Sequence, residues 1–309
     1  MKKILPLLLV GVIFISCGSK KRDKNDGNTM RSGFIKIAVD ETMRTVIQSE
    51  IDVFGGLYPA DIEPIYTTET EAIELLKIDT VRFAVTTKGL TPAEIQYFKD
   101  KSYNPKVIRI AIDAIALITN PANPDSIINV QTLKKILTGE VTNWNEIYPT
   151  SKLGKIQVVF DNTKSSIVRY AVDSICKDKP LSTKLNALNL NKEVVDHVAK
   201  TPNAIGLIGV SLISNEKDSA SVDFTKKVQV MRVSKEDKPD RYNSVQPYQY
   251  YIYTMKYPLT RNIYIILNDF RGELPTGLTN FITGDKGQRI IKSAGLLPVT
   301  MPVNNVVVY

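Results

Sequence analysis

A chain of 309 residues exceeds the size at which a single hydrophobic core keeps growing, so about two domains are expected. A hydrophobic content of 43% with 23% charged residues is ordinary for a packed globular protein and argues against extended disorder outside the front of the chain. The formal net charge of +8 does not by itself imply nucleic acid, because no helix-turn-helix, zinc-finger or RNA-binding signature accompanies it.

Lys2 and Lys3 precede ILPLLLVGVIFIS, a basic segment and an apolar run too short for a mature membrane helix of about 20 residues. Ser16, Cys17, Gly18 and Ser19 then have the form of a bacterial lipobox, with Phe14 where leucine is commoner. Residues 1–17 are therefore expected to be a lipoprotein signal peptide, with Cys17 becoming the lipidated terminus; the alternatives are an uncleaved anchor or an ordinary signal peptide. Residues 18–33, GSKKRDKNDGNTMRSG, read as a solvated tether without apolar period. Loss of Lys2 and Lys3 leaves +6, and Lys20, Lys21, Arg22, Lys24 and Arg31 of the remainder lie in that tether. Beside an anionic membrane each would add about 1 kcal/mol of attraction.

Downstream, strands and helices alternate. Ile35 to Asp40 reads as a strand, Met43 to Phe54 as a helix, Ile62 to Thr67 as a strand, Glu71 to Lys77 as a helix and Val81 to Thr87 as a strand. Thr91, Pro92 and Glu94 supply cap, first-turn proline and N3 glutamate for the next helix. Ile108 to Ile118 is almost unbroken apolar and β-branched sequence, interrupted by Arg109 and Asp113. It is longer than the usual strand of about five or six residues, enough to pass from one domain to another. Asn120, Pro121, Asn123 and Pro124 stop it. Asn129 then caps a helix whose stripe is Leu133, Ile136 and Leu137 and whose end is Gly139. Further strands are expected at Lys155 to Phe160 and Ala204 to Ile208, with a helix between them from Ser165 to Ile175. The aromatic and β-branched stretch from Gln246 to Asn268 would bring the chain back to the first domain.

The block from Ile108 to Ile147, with its strand, NP-rich turn, helix and TGEVTNW, resembles phosphate-binding proteins of periplasmic ABC uptake systems. VAKTPNAIGLIGVSLI (Val198 to Ile213), YPLTRNIYIILN (Tyr257 to Asn268) and FITGDKGQRIIKSAGLLPV (Phe281 to Val299) resemble later blocks of that family, in the same order. The resemblance implies an α/β, two-lobed type II periplasmic-binding-protein fold, with mixed, mainly parallel sheets and a two-strand hinge. Domain I would be residues 34–112 and 250–309, and domain II residues 113–249. It further implies a lipid-anchored, extracytoplasmic solute-binding protein that captures an oxyanion, phosphate by default, and presents it to an ABC permease in the inner membrane. No cofactor, metal or nucleic acid is expected, and the protein is expected to be a monomer and not an enzyme.

Three strand-to-helix junctions carry candidate anion donors: Asp40-Glu41-Thr42, Thr67-Thr68-Glu69-Thr70, and Asp161 to Ser166. Helix N-termini with hydroxyl side chains favour anions through free N–H groups and the macrodipole, although the same residues also serve as plain helix caps. The resemblance adds their convergence on a cleft, closed on a fourth side by Thr86, Thr87 and Lys88. Candidate ligand-binding residues are Thr42, Thr68, Thr87, Lys88, Asn162, Ser165, Ser166 and Arg169. Arg169 either offers its fork to an oxyanion or pairs with Asp173 one turn later.

The family's phosphate loop, approximately R-(D/E)-x-G-S-G-T, is here DNTKSSI, with Asp161 at the arginine position, Ser165 retained and Ile167 at the threonine position. Thr87 stands where the family has an aspartate. Asp40, Glu41, Glu69 and Glu71 place acids around a site meant for a dianion, which costs several kcal/mol when desolvated unless they are paired or turned away. A changed ligand, cationic or zwitterionic, is the second reading. An enzyme is a third, without a G-x-S-x-G elbow or a metal-ligand set to support it. Cys176 is expected to be a core residue and His197 a helix-surface residue.

Overall fold

The computed structural model describes residues 28–177, 179–183, 185–188, 191–214 and 227–300. The signal segment, Cys17 and most of the tether lie outside the described residues. Residues 28–33, expected to belong to the tether, are pinned to the body: Asn28 accepts from Phe34 N–H at 2.9 Å and donates to its carbonyl at 3.1 Å.

The first half of the chain builds β1 (Gly33–Asp40), α1 (Arg44–Leu57), β2 (Ala60–Thr67), α2 (Glu69–Lys77), β3 (Phe83–Thr86), α3 (Pro92–Asp100) and β4 (Lys106–Thr119). Both hydrogen bonds of the Thr91–Glu94 capping box form, at 3.3 and 2.7 Å. There follow β5 (Ile127–Asn129), α4 (Val130–Thr138), β6 (Gln157–Phe160), α5 (Ser166–Tyr170), β7 (Asn186–Ala187), α6 (Asn191–Lys200) and β8 (Ala204–Gly209). Asn129 caps α4 through Thr132 N–H at 2.7 Å, and Gly139 ends it at φ 80°, a left-handed conformation that glycine adopts without steric cost. Helix α5 is short because Ala171–Cys176 continue as a π-turn. After α7 (Ser211–Ser214) come β9 (Gln229–Val230), β10 (Arg232–Ser234) and β11 (Ser244–Val245). The return segment differs from a continuous strand: Gln249–Tyr253 is a helix, and only Thr260–Leu267 forms β12. Helices Leu274–Thr283 and Asp285–Ser293 and strand β13 (Leu297–Pro298) close the described chain.

One mixed sheet runs in the order β2-β1-β3-β12-β4-β8-β6-β7, with β13 and β9 also on β4. The pairs β1–β2, β1–β3, β6–β7 and β6–β8 are parallel, whereas β12 and β4 run antiparallel to their neighbours. Strand β4 serves both halves of this sheet. Its residues from Lys106 to Ala114 pair with β12, and Ile115 to Thr119 pair with β8. Tyr257 Oη donates to the Ile115 carbonyl at 2.7 Å, and Ile115 N–H donates to Leu259, so the returning chain lies beside β4 where it changes partner.

Helices cover both faces. Ala72, Ile73 and Leu76 of α2 pack with Ala38, Ala84 and Ile266, while Val46, Ile47 and Phe54 of α1 join the largest core cluster. Full burial of each Ile, Leu or Phe contributes about 1.5–3 kcal/mol. The glycine of the NAIG segment is required by close packing: a Cβ on Gly206 would lie 2.9 Å from both Val194 and Val198 of α6. Trp144 of the TNW segment is fully buried and donates Nε1–H to the Asn203 carbonyl at 2.9 Å, joining two of the blocks recognised in the sequence. Cys176 is buried and unpaired, as expected of a core residue. His197 corrects the surface expectation: it is half-buried on α6, and its shielded Nε2 has no hydrogen-bond partner among the described residues.

Glu50 on α1 is wholly buried, and among the described residues neither carboxylate oxygen has a hydrogen-bond partner. Burial pushes its pKa from 4.5 up to about 9. The folded chain therefore holds a proton that the unfolded chain releases above about 4.5. This contribution to stability is fully present below pH 4.5 and is lost as pH rises towards 9. Glu50→Leu is expected to raise the thermal midpoint at pH 8 and to flatten its decline between pH 5 and about 9, read by circular dichroism. An unchanged pH profile would show that Glu50 is ionised in the folded state.

Candidate functional site

The site lies where β4 and β12 pair and where the junctions after β1, β3 and β6 face one another. Arg261 on β12 is the direct cross-strand partner of Asp113 on β4. Its Nε donates to Asp113 Oδ2 at 2.9 Å, Nη2 lies 2.8 Å from the same oxygen as an ion pair, and both side chains are almost wholly buried. The rest of the guanidinium crosses the gap between the two halves of the sheet. Nη1 donates to Ser166 Oγ at 2.8 Å and Nη2 to Thr42 Oγ1 at 3.0 Å. Thr42 follows β1, and Ser166 opens α5 after β6. One rigid fork thus joins hydroxyls from opposite halves.

Those two hydroxyls lie 3.2 Å apart and both serve Asp40. Asp40 Oδ1 accepts from Ser166 Oγ at 3.0 Å, from Thr42 N–H at 3.0 Å and from the Thr42 hydroxyl. Asp40 ends β1 and caps the 3-10 turn after it, which is why its carboxylate faces inward. Burial pushes its pKa up to about 6, helped by Glu69, while Arg261 and the two hydroxyls pull the other way. Burial likewise raises Asp113 and Asp161 above the usual carboxylate range, against Arg261 and, for Asp161, Ser165. For Arg261, burial disfavours the charge, but Asp113, Asp40 and Glu69 overcome it and hold the guanidinium above its ordinary value.

A second bridge spans the same gap. Glu69, at the first position of α2 and 1% exposed, accepts from Thr87 N–H at 3.2 Å and Thr87 Oγ1 at 2.8 Å. Arg169 on α5 reaches Glu69 through Nε and Thr87 Oγ1 through Nη2 at 3.0 Å. It also meets Asp173 at 3.2 Å, the pairing named for it in the sequence, while its inner edge is held by Glu69 and Thr87. Ser165 caps α5 and donates to Asp161 at 2.5 Å.

The structure brings together Thr42, Thr87, Ser166 and Arg169, with Ser165 beside them on the α5 cap. The remaining candidates have other partners. Thr68 caps α2 through Glu71 N–H, Lys88 stands 4.0 Å from Glu94, and exposed Asn162 ties its own loop by accepting from Lys164 N–H. The acids also divide: Asp40 and Glu69 point inward, whereas Glu41 forms a two-pronged surface pair with Arg44. Sequence reasoning missed Arg261 and gave Asp113 no role. The available signal was an acid, Asp113, in the middle of the apolar run IAIDAIALI and a base, Arg261, opening the apolar strand TRNIYIIL, costly placements when buried unless the two meet.

The facing junctions touch, so the gap between the two halves is occupied by the side chains that bridge it. Entry of a ligand requires the Thr42–Ser166 and Arg169–Glu69 contacts to part or to be exchanged for contacts with it. Among the described residues no group of acids, histidine and cysteine has the arrangement of a metal site, and no helix is long and apolar enough to cross a membrane.

A mixed sheet bent around shared crossing strands, with polar strand-to-helix junctions facing one another beside the crossing, defines the type II periplasmic binding fold. The family profile described as a PBP superfamily domain matches residues 19–286, and the chain belongs to that superfamily. It is 27% identical over 229 residues to the phosphate-binding protein PstS of Borreliella burgdorferi, covering 71% of this chain and 72% of that protein. Over 123 residues it is 30% identical to the Bacillus subtilis phosphate-binding protein PstS, covering 38% and 39% of the two chains. Among solved structures, a putative phosphate ABC transporter substrate-binding protein with bound phosphate from Clostridium perfringens aligns with a TM-score of 0.71 at 20% identity, over 87% of this chain and all of that one. An ABC-type phosphate transport receptor from Vibrio cholerae gives 0.65 at 20% identity, over 86% of this chain and 100% of that one.

Proposed function

We propose that this chain is a solute-binding lipoprotein of an ABC importer that captures an oxyanion, phosphate first, between the two halves of its sheet. Cys17 would carry the lipid on the extracytoplasmic face, and a permease in the inner membrane would receive the ligand from a monomeric donor. Residues 34–112 and 250–309 would move as one lobe and 113–249 as the other. The superfamily membership and the phosphate that the similar proteins bind support this reading at the level of ligand class.

The observation that carries it is the Arg261 fork, held by Asp113 and aimed at Thr42 and Ser166. A planar guanidinium with two hydroxyls and the Thr42 N–H suits two oxygens of a tetrahedral anion. In this chain Arg261 would do what an arginine in the DNTKSSI loop cannot, since that loop has none. Closure over the anion would use Arg169, Thr87 and the N-terminus of α5.

Calorimetric titration of the purified protein with phosphate tests the reading. Binding is expected, and Ser166→Ala is expected to weaken it roughly 10- to 150-fold, the equivalent of a charge-assisted hydrogen bond of about 1.5–3 kcal/mol. The absence of heat with phosphate, sulfate and related anions would remove the ligand and leave the fold.

The inward-facing carboxylates of Asp40 and Glu69 favour a second reading, a site for a cationic or zwitterionic solute. Each is already matched by an arginine, Asp40 through the two hydroxyls and Glu69 directly. Asp40→Asn separates the readings: anion binding persists under the first, and ligand binding collapses under the second.

A further inference from the structure

We infer that Asp40 is an internal stand-in for the ligand, so that an oxyanion enters only as Asp40 gives up the Thr42 and Ser166 donors and takes a proton. The inference rests on the oxyanion reading of the site and adds to it a proton linkage peculiar to this chain.

The argument begins with a count of hydrogens. A hydroxyl has one proton to donate. In the structure the Thr42 and Ser166 hydroxyls accept from Arg261 Nη2 and Nη1, and each gives its own proton to Asp40 Oδ1. The Thr42 N–H is given to the same oxygen. An anion in front of the Arg261 fork needs these same donors, so it and the Asp40 carboxylate compete for them. Both carry negative charge, and Asp40 is only 1% exposed, with no water shell to take over.

The groups around Asp40 decide how that competition is resolved. Glu69 at the start of α2, Asp113 on β4 and Asp161 after β6 are acids; Arg261 on β12 and Arg169 on α5 are the cations, and Tyr170 of α5 also faces Arg261. Arg261 is committed to Asp113 and Arg169 to Glu69. With a dianion added and its three donors withdrawn, ionised Asp40 has no remaining partner of opposite charge. Its carboxyl already titrates near 6 with those donors in place, so their loss favours the protonated form further. The protonated carboxyl becomes a donor, and its O–H can then face the anion. The proton comes from solvent, so one is taken up per anion bound wherever free Asp40 is ionised.

Affinity should therefore fall about tenfold per pH unit above about 6, relative to a variant that cannot ionise at this position. The full-length protein and Asp40→Asn are titrated with phosphate in two buffers of different ionisation enthalpy at pH 7.5. Subtracting one protein's proton count from the other's cancels the ligand's own protonation. Wild type is expected to take up about one proton more than Asp40→Asn, and the variant to bind up to roughly 30-fold more tightly at that pH, with the gap closing towards pH 5. Sulfate, which carries no titrating proton in this range, gives the count on wild type alone and keeps the test valid if the variant folds poorly. Equal proton counts, no proton uptake with sulfate, or weaker phosphate binding by a folded Asp40→Asn would overturn the inference while leaving oxyanion capture intact. A lack of heat with either anion from pH 5 to pH 8 would overturn both together.

Discussion

Arg261→Met is expected to destabilise the protein by about 3–5 kcal/mol and to abolish phosphate binding. Truncating one member of a buried, hydrogen-bonded ion pair leaves the other charge without compensation, which accounts for a loss of that size. Asp113 is wholly buried at the same ladder position, and Asp40 and Glu69 lose their shared cation as well. For a folded body of this length the loss corresponds to a fall in thermal midpoint of about 6–20 °C.

The pH dependence of that loss identifies its cause. Without Arg261 the pKa values of Asp113 and Asp40 rise further above their unfolded values. The folded variant then gains from protonation, so its deficit should be largest near pH 8 and should shrink as pH falls towards that of an unfolded aspartate, about 4. A deficit independent of pH would mean that lost packing, rather than uncompensated charge, is responsible. Asp113→Leu combined with Arg261→Met removes both charges and should recover much of the stability, because well-packed apolar pairs often replace buried ion pairs without loss. The double variant should still fail to bind phosphate. Stability and capture are thereby read separately at one residue pair.

Trp144→Ala should cost about 3–5 kcal/mol, the usual range for emptying a buried tryptophan site. The side chain is fully buried, its backbone N–H donates to Gly154, and its ring stacks on Tyr148 at 6.2 Å between centroids. Trp144→Phe keeps much of the volume and loses the Asn203 hydrogen bond, so a cost nearer 1–2 kcal/mol is expected. Because the hydrogen bonds and ring contact of Trp144 run to Asn203, Gly154 and Tyr148 and to none of the bridging side chains, the folded fraction of either variant should bind phosphate with unchanged affinity. Chemical denaturation followed by circular dichroism gives the stabilities, and a loss below about 1 kcal/mol for Trp144→Ala would show that the site collapses around the smaller side chain.

The elements whose causes are local were legible in the sequence. Asn129 and Gly139 mark the two ends of α4, Thr91 and Glu94 form their capping box, and the apolar run of β4 is long enough to serve both halves of the sheet. Thr42 and Ser166 were recognisable because a hydroxyl at a strand-to-helix junction has a definite electrostatic meaning on its own. Arg261 was not, because its meaning depends on Asp113, 148 residues earlier, and register between distant strands cannot be read from either alone. The inward turn of Asp40 and the outward turn of Glu41 differ by one residue in a tight turn and follow from which of them caps it. The Gln249–Tyr253 helix was read within a returning apolar stretch because short aromatic and β-branched runs suit a buried helix as well as a strand. His197 was placed on the helix surface because no ligand partner shares its face, whereas α6 presents it towards a half-buried face.

The departures from the family's phosphate loop acquire a physical sense from this geometry. DNTKSSI lacks the arginine, and a guanidinium reaches the same junctions from β12 instead. Of the acids set against an anion, the two that face inward, Asp40 and Glu69, are tied to Arg261 through its hydroxyls and to Arg169 directly, so their hydrogen bonds are satisfied before a ligand arrives. Such pairing holds the facing junctions together, and it sets the condition that an entering anion must meet: it has to replace a carboxylate that is already there.

A crystal structure of the protein grown with phosphate tests the central claim most directly. The account predicts a phosphate between the two halves, with oxygens within hydrogen-bonding distance of Arg261 Nη1 and Nη2 or of the Thr42 and Ser166 hydroxyls, and with Asp40 released from those hydroxyls. A bound phosphate elsewhere, with Asp40 still holding Thr42 and Ser166, would contradict it.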